Sequence, residues 1–229
     1  MAIRAVSFDL GHTLLFPRYE WYRSIVAATG VEISRNELQQ RESELRSWFD
    51  SMILDEGRKG MDDSLWEQYF RRFFSGLGVD DDSLDSLLKR LYQEHLEGVG
   101  LWTEPAPGAE ETLKALKEAD LLVACVSNND GRLESMVEHQ DWTGYFDVMV
   151  DSRAIRIAKP DPGIFRYALD QLGLEPEEMI HVGDYYSVDV IGARNAGVEG
   201  VLYDPRGAYD EVDCRVITEL IAIVEVVTG

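Results

Sequence analysis

Cysteine, lysine and long apolar runs are all scarce in this chain of 229 residues. With only Cys125 and Cys214, no disulfide framework is expected, and a reducing cytoplasm is the expected compartment. No apolar run approaches the roughly 20 residues that span a bilayer, so no membrane partner is expected. The opening, MAIRAVSFDL, moves straight into strand-like sequence and lacks the apolar stretch and cleavage site of a secretory signal. Basic residues number 22 against 43 acidic ones, for a formal charge of −21. Such a surface repels a polyanion, and no basic stripe offsets it, so nucleic acid is not an expected partner. The only lysines are Lys59, Lys89, Lys114, Lys117 and Lys159. That imbalance suits a salty cytoplasm and plain solubility equally well.

What is present is a substantial core: 45% of the residues are apolar, enough for one large α/β domain or a core with a modest insert. Ile3 to Phe8 reads as a strand. From Tyr19 to about Gly98 the periodicity turns helical. Ser34 with Glu37 three residues on is a capping-box signature, and Leu38, Leu45, Phe49 and Met52 follow at helical spacing. Trp66, Phe70, Phe73 and Leu77 mark another helix, and Leu84, Leu87, Leu88 and Leu91 a third. Together with Trp21 to Ala28 they predict a four-helix unit. After EPAPG (Glu104 to Gly108) the chain alternates: helix, buried strand LLVACVS, helix near Arg132 to His139, strand YFDVMV, helix Pro162 to Leu172, buried strand MIHVG, a helix near Ser187, strand GVLY and a final helix. This predicts an α/β fold, a doubly wound parallel sheet with an inserted α-helical unit.

Ligands of an open parallel sheet bind beyond the carboxyl ends of its strands. Asp9 follows the first strand; Ser127, Asn128 and Asn129 follow LLVACV; Lys159 follows FDVMV after a short segment; Asp184 and Asp189 follow IHVG. Singly, each has a plain structural reading as a turn acid, a cap or a surface lysine. Together, on one rim of one sheet, they suit phosphoryl transfer. Clustered carboxylates require a cation, and hard oxygen ligands around an open site select Mg²⁺. Asp9 would attack phosphorus in line, while Lys159 and Ser127 cradle the equatorial oxygens. No nucleotide-binding P-loop is present, so the donor need not be a nucleotide.

These segments resemble the four motifs of the haloacid dehalogenase (HAD) superfamily: Asp9 in FDLGHTL, Ser127 in VSNND, Lys159 in AKPDPGIF, and Asp184 and Asp189 in HVGDYYSVDVIGARNAG. The resemblance implies a Rossmann-like core over residues 1–16 and 100–229, with a C1-type helical cap over 17–99. It implies that Asp9 is the nucleophile, that Asp9, Asp184 and the carbonyl of Gly11 hold Mg²⁺, and that Ser127 and Lys159 hold the phosphate. Asp189 would support the metal or Lys159 from behind. Asn128 reads equally as a ligand contact and as a turn residue. A C1 cap favours a small phosphorylated metabolite as substrate, with the chain a monomer by default and a dimer the alternative.

Most family phosphatases carry a second Asp two residues after the nucleophile, which protonates the leaving group and then activates water. Here that position is Gly11, as in a REG-2-like group within the superfamily. Loss of a positioned acid/base lowers rates by roughly 10² to 10⁴. Three readings follow: a phosphatase that is slower or uses a substitute such as His12; a 2-haloacid dehalogenase, whose pattern also lacks this acid but does not keep the motif-four Asp; and a module that binds phosphorylated ligands or a protein partner without turnover. Phosphatase leads, because the metal-binding and phosphate-binding residues are both intact. His181 reads as a packed core residue, Cys125 as a buried thiol, and Arg18 and Tyr19 as candidates for a gating flap; His95 and His139 have no evident partner.

Overall fold

The computed structural model describes residues 2–54, 63–97 and 100–229. Lys59 and the stretches 55–62 and 98–99 of the expected cap lie outside the described residues. The chain begins with strand β1 (Ala5–Phe8), buried at every position, followed by β2 (Leu15–Pro17). Four helices come next among the described residues: α1 (Tyr19–Ala27), α2 (Arg35–Leu54), α3 (Asp63–Gly76) and α4 (Asp81–Glu97). Strand β3 (Trp102–Pro105) then pairs antiparallel with β2. This short ribbon carries the chain out to the helices and back. Proline in both strands, and three to four residues in each, hid it from the sequence pattern.

The remaining elements alternate: α5 (Ala109–Glu118), β4 (Leu122–Ser127), α6 (Leu133–His139), β5 (Val148–Asp151), α7 (Ser152–Ile155), α8 (Pro162–Leu172), β6 (Met179–Gly183), α9 (Ile191–Asn195), β7 (Glu199–Tyr203), β8 (Arg215–Ile217) and α10 (Ala222–Thr228). Among the described residues six strands form one sheet in the order β5-β4-β1-β6-β7-β8, every pair parallel. Successive strands step from β1 through β4 to β5, then cross to β6 on the other side of β1. The switch lies at β1, and the crevice at its carboxyl end is where such a sheet binds ligands. The fold is the expected α/β doubly wound sheet, with β8 an added edge strand.

Local chemistry sets the elements. Both faces of β1 and β6 are covered, which suits their mostly apolar sequences, and the polar exceptions Ser7 and His181 lie 2.9 Å apart and satisfy each other. Asp161 caps α8 by accepting from the Gly163 N–H at 2.8 Å, Pro162 opens the helix, and Gly173 closes it at φ +66°. At the start of α2 the Ser34 hydroxyl accepts from the Glu37 N–H at 3.2 Å while Glu37 accepts from the Ser34 N–H at 2.7 Å, a reciprocal capping box. One core lies between the sheet and α5, α6 and α10, another under α8 and α9, and a third among α1–α4. No helix among the described residues is long and apolar enough to cross a membrane.

Candidate active site

Asp9 directly follows β1, and its N–H donates to the Val182 carbonyl at 2.9 Å, which fixes it against the end of β6. Its carboxylate oxygen Oδ1 lies 2.8 Å from Lys159 Nζ. The same ammonium donates to Asp189 Oδ1 at 2.6 Å, and Lys159 is only 1% exposed. Burial alone would push the lysine pKa down, but Asp189 and Asp9 outweigh it and hold the charge on. One buried cation is thus clamped between two carboxylates from opposite sides of the switch point.

The residues after β6 complete the cluster. One carboxylate oxygen each of Asp9, Asp184 and Asp189 lies within 4.8 Å of the others. Asp189 sits in a π-helical turn, Tyr186–Val190, rather than in the first turn of an ordinary helix. Its Oδ1 also faces His181 Nε2 at 3.3 Å, and its Oδ2 accepts from the Tyr185 N–H at 2.9 Å. Burial raises its pKa, but Lys159 and His181 outweigh this and keep it ionised. Its oxygens therefore serve Lys159, His181 and the backbone, and it stands behind the site. Gly183 makes this approach possible, because a Cβ there would lie 2.2 Å from Asp189 Cγ. Burial raises the carboxyls of Asp9 and Asp184, against the opposing pull of Lys159 on the first and Arg46 on the second. A divalent cation among these oxygens would compensate that charge, and the all-oxygen donor set fits Mg²⁺. Asp9 and Asp184 could hold it, and the sequence assigned the Gly11 carbonyl to the same role.

A cavity of about 740 Å³ opens over the cluster. Asp9, Ser127, Lys159 and Asp184 line it from the core, and Trp66, Tyr92, His95 and Trp102 line it from the helical side and the ribbon. Ser127 ends β4 and is 4% exposed. Asn128 lines the cavity too, but its Oδ1 accepts from the Lys159 N–H at 2.7 Å and its Nδ2 donates to the Lys159 carbonyl at 2.9 Å. The carboxamide thus steadies the lysine backbone from the wall of the cavity.

Gly11 also borders the cavity. A Cβ built there would meet the Trp102 indole first, at 3.8 Å, so the position has room for a side chain. His12 stands beside it in the left-handed region at φ +55°, a conformation that favours glycine. Its ring packs against Phe16 and Trp102, and its Nδ1 is buried without a hydrogen-bond partner among the described residues, 3.9 Å from Glu42. Burial, aided by Arg46, pushes the imidazole down to about 3. It is neutral near pH 7 and lacks the acidic imidazolium proton a leaving group would take, which counts against it as the substitute acid.

Several residues of the site escaped the sequence reading. Arg46 on α2 donates through Nη1 to Asp184 Oδ2 at 2.7 Å and to the Asp184 carbonyl. Thr13 donates to Asp184 Oδ1 at 3.4 Å. His181 is buried as expected, yet its two nitrogens join Ser7 to Asp189. His95 does have partners, lying 2.7 Å from Arg132 Nη2 and 3.1 Å from Asp130 Oδ2. Of the two residues read as a gating flap, Arg18 pairs with Glu94, and Tyr19, fully buried, donates to Glu42 at 2.5 Å. The signal for Arg46 was its spacing, one helical turn from Glu42 and one from Asp50.

Comparison with known proteins gives the family and the fold. A family model described as haloacid dehalogenase-like hydrolase matches residues 3–197, and the chain belongs to that family. It is 32% identical over 210 residues to haloacid dehalogenase-like hydrolase domain-containing protein 3 of Danio rerio, covering 89% of this chain and 86% of the relative. The rhythmically expressed gene 2 protein of Drosophila melanogaster is 28% identical over 218 residues, covering 87% and 82%. A glyceraldehyde 3-phosphate phosphatase of Pyrococcus furiosus is 32% identical over 128 residues, covering 52% and 53%. Among solved structures, a HAD-hydrolase of Bacillus subtilis bound to magnesium superposes with a TM-score of 0.71 at 16% identity, covering 100% of both chains; that likeness speaks for the fold alone.

Proposed function

We propose that this hydrolase is a Mg²⁺-dependent phosphatase of small phosphorylated metabolites, acting through an aspartyl-phosphate on Asp9. The observation that carries the reading is Lys159 Nζ, 2.8 Å from the Asp9 carboxylate on the floor of the cavity, with two further carboxylates within 4.8 Å. A phosphatase among the relatives points the same way.

Charge supports the metal. Asp9, Asp184 and Asp189 face two cations, Lys159 and Arg46, leaving one excess negative charge before a phosphate dianion arrives. When bound, Mg²⁺ would supply the positive charge that the phosphate oxygens need. The Asp9 carboxylate attacks phosphorus; its new O–P bond forms as the ester O–P bond breaks, and the leaving oxygen takes the electron pair. Lys159 and the Ser127 hydroxyl hold the equatorial oxygens as charge builds on them. Water then attacks the aspartyl-phosphate, releasing inorganic phosphate and restoring Asp9.

With Gly11 and a neutral His12 there is no side-chain acid at the usual place to protonate the leaving oxygen. Esters whose leaving group departs unprotonated are therefore the better substrates. Hydrolysis of an aryl phosphate, with and without Mg²⁺, in wild type and Asp9→Asn, tests the reading. Sustained Mg²⁺-dependent turnover lost in Asp9→Asn is expected; undiminished activity in Asp9→Asn would sink it.

A second reading, as a 2-haloacid dehalogenase, draws on one observation: Arg46 already places a cation on Asp184, and carbon–halogen cleavage needs no leaving-group acid. Metal-independent chloride release from 2-chloropropionate would favour it over the phosphatase.

A further inference from the structure

The helix α2 carries two buried stripes. Leu38, Leu45, Phe49 and Ile53 form the apolar one; Glu42, Arg46 and Asp50, spaced one turn apart, form a charged one, each no more than 7% exposed. Buried charges are expensive unless paired; Glu42 accepts from Tyr19 on α1, and Arg46 and Asp50 are paired with the segment that follows β6. Arg46 donates to the Asp184 carboxylate at 2.7 Å and to the Asp184 carbonyl. Asp50, one turn on, accepts from the Ser187 N–H at 3.0 Å and from its hydroxyl, and its other oxygen accepts from the Tyr209 hydroxyl at 2.7 Å. The helical insert thus grips residues 184–187 at two consecutive turns, once with a cation and once with an anion.

The cation falls on a carboxylate that the phosphatase reading gives to Mg²⁺. From this geometry we infer that Arg46 is a positioning residue whose guanidinium opposes the metal at Asp184, so that metal binding and the seating of α2 on the core weaken each other. The inference rests on the assignment of Asp9, Gly11 and Asp184 as the metal site. The physical ground is repulsion between like charges that share one ligand group at short range, inside a site that water does not screen. Asp184 Oδ1 accepts from Thr13 at 3.4 Å, so both of its oxygens already have partners. A metal ion would draw on the electron density that now faces Arg46, and loosening of that bond leaves α2 held to residues 184–187 by Asp50 and by the Arg46 bond to the Asp184 carbonyl. Coupling of this kind is reciprocal: whatever factor the metal imposes on the α2 contact, the contact imposes on metal affinity.

Two measurements on the full chain test this, neither reading activity. The first is Mg²⁺ affinity by titration calorimetry for wild type, Arg46→Gln and Arg46→Lys. Arg46→Gln is expected to bind Mg²⁺ roughly 5- to 150-fold more tightly, the usual range of such couplings, and Arg46→Lys, which keeps the charge, to return toward wild type. Equal or weaker binding by Arg46→Gln overturns the inference and leaves the metal site standing. Absence of Mg²⁺ binding by wild type overturns both. The second uses wild type alone, and so does not depend on how the variants fold: amide hydrogen exchange with and without Mg²⁺. Faster exchange in α2 around Arg46 and Asp50 on adding metal is expected. Unchanged or slower exchange there, with Mg²⁺ shown to bind, contradicts the coupling.

Discussion

The ends of β1, β4 and β6 and the charged stripe of α2 meet at Asp184, yet they are built on opposite terms. The core side places Asp9, Ser127 and Asp184 where buried apolar strands end, and each side chain emerges from a stretch that the sheet holds rigid. The α2 side places Glu42, Arg46 and Asp50 within a helix whose other buried face is apolar. The first arrangement orients reacting groups; the second supplies compensating charge from an element outside the sheet. A catalytic group belongs on the rigid part, while a group that must yield when a ligand arrives can sit on the other.

Substitutions that break one side while sparing the other sharpen this contrast. The largest effect is expected at the nucleophile. Asp9→Asn should lower aryl phosphate hydrolysis by at least ~10³-fold with little change in unfolding free energy, as steady-state rates and urea titration would show. Lys159→Met should damage both. It leaves Asp9 and Asp189 without the cation they share, a loss of about 3–5 kcal/mol when one partner of a buried ion pair is removed, readable as a lower urea midpoint.

On α2, Glu42 offers a test by pH. Burial, opposed by the Tyr19 hydrogen bond and by Arg46, pushes its carboxyl from the ordinary 4.5 up to about 7. Between those values the folded chain keeps a proton that the unfolded chain has lost, so stability falls as pH rises through that window. A rise of this size corresponds to roughly 3 kcal/mol at full effect. Glu42→Gln should flatten that slope and stabilise the protein at pH 8 relative to wild type, by urea unfolding at several pH values. An unchanged slope would mean that Glu42 is ionised in the folded chain.

The smallest expected effect is a gain. Gly11→Asp adds a carboxylate where the added Cβ first meets the Trp102 ring at 3.8 Å and where the indole N–H is buried without a partner among the described residues. The variant should hydrolyse alkyl phosphates about 10²-fold faster than wild type, with aryl phosphates gaining less. Equal rates on alkyl phosphates would show that wild type already has an acid elsewhere.

Much of the core was legible because parallel strands buried on both faces read as continuous apolar runs, and the polar residue ending each run stands out. Asp9, Ser127 and Asp184 were found that way, Lys159 a short segment beyond its strand, and the structure places all four on one cavity. The ribbon of β2 and β3 was not visible, since two short proline-containing strands carry no period. Arg46 was missed for a different reason. A charged residue on an amphipathic helix reads as solvent-facing, and only the opposing Asp184, 138 positions away in sequence, shows that it is buried. Asn128 was found in the right place without its partner, because sequence position locates a side chain near a site without saying which neighbour takes its hydrogen bonds.

The central claim is that phosphate passes through Asp9. The most direct measurement is acid quench of wild type during turnover of an aryl phosphate with Mg²⁺, followed by peptide mass spectrometry. The account predicts a phosphorylated peptide carrying Asp9, accumulating because Gly11 offers no base for the second step, and absent from Asp9→Asn. Phosphate released with an unmodified Asp9 peptide at every quench time, and released equally by Asp9→Asn, would contradict it.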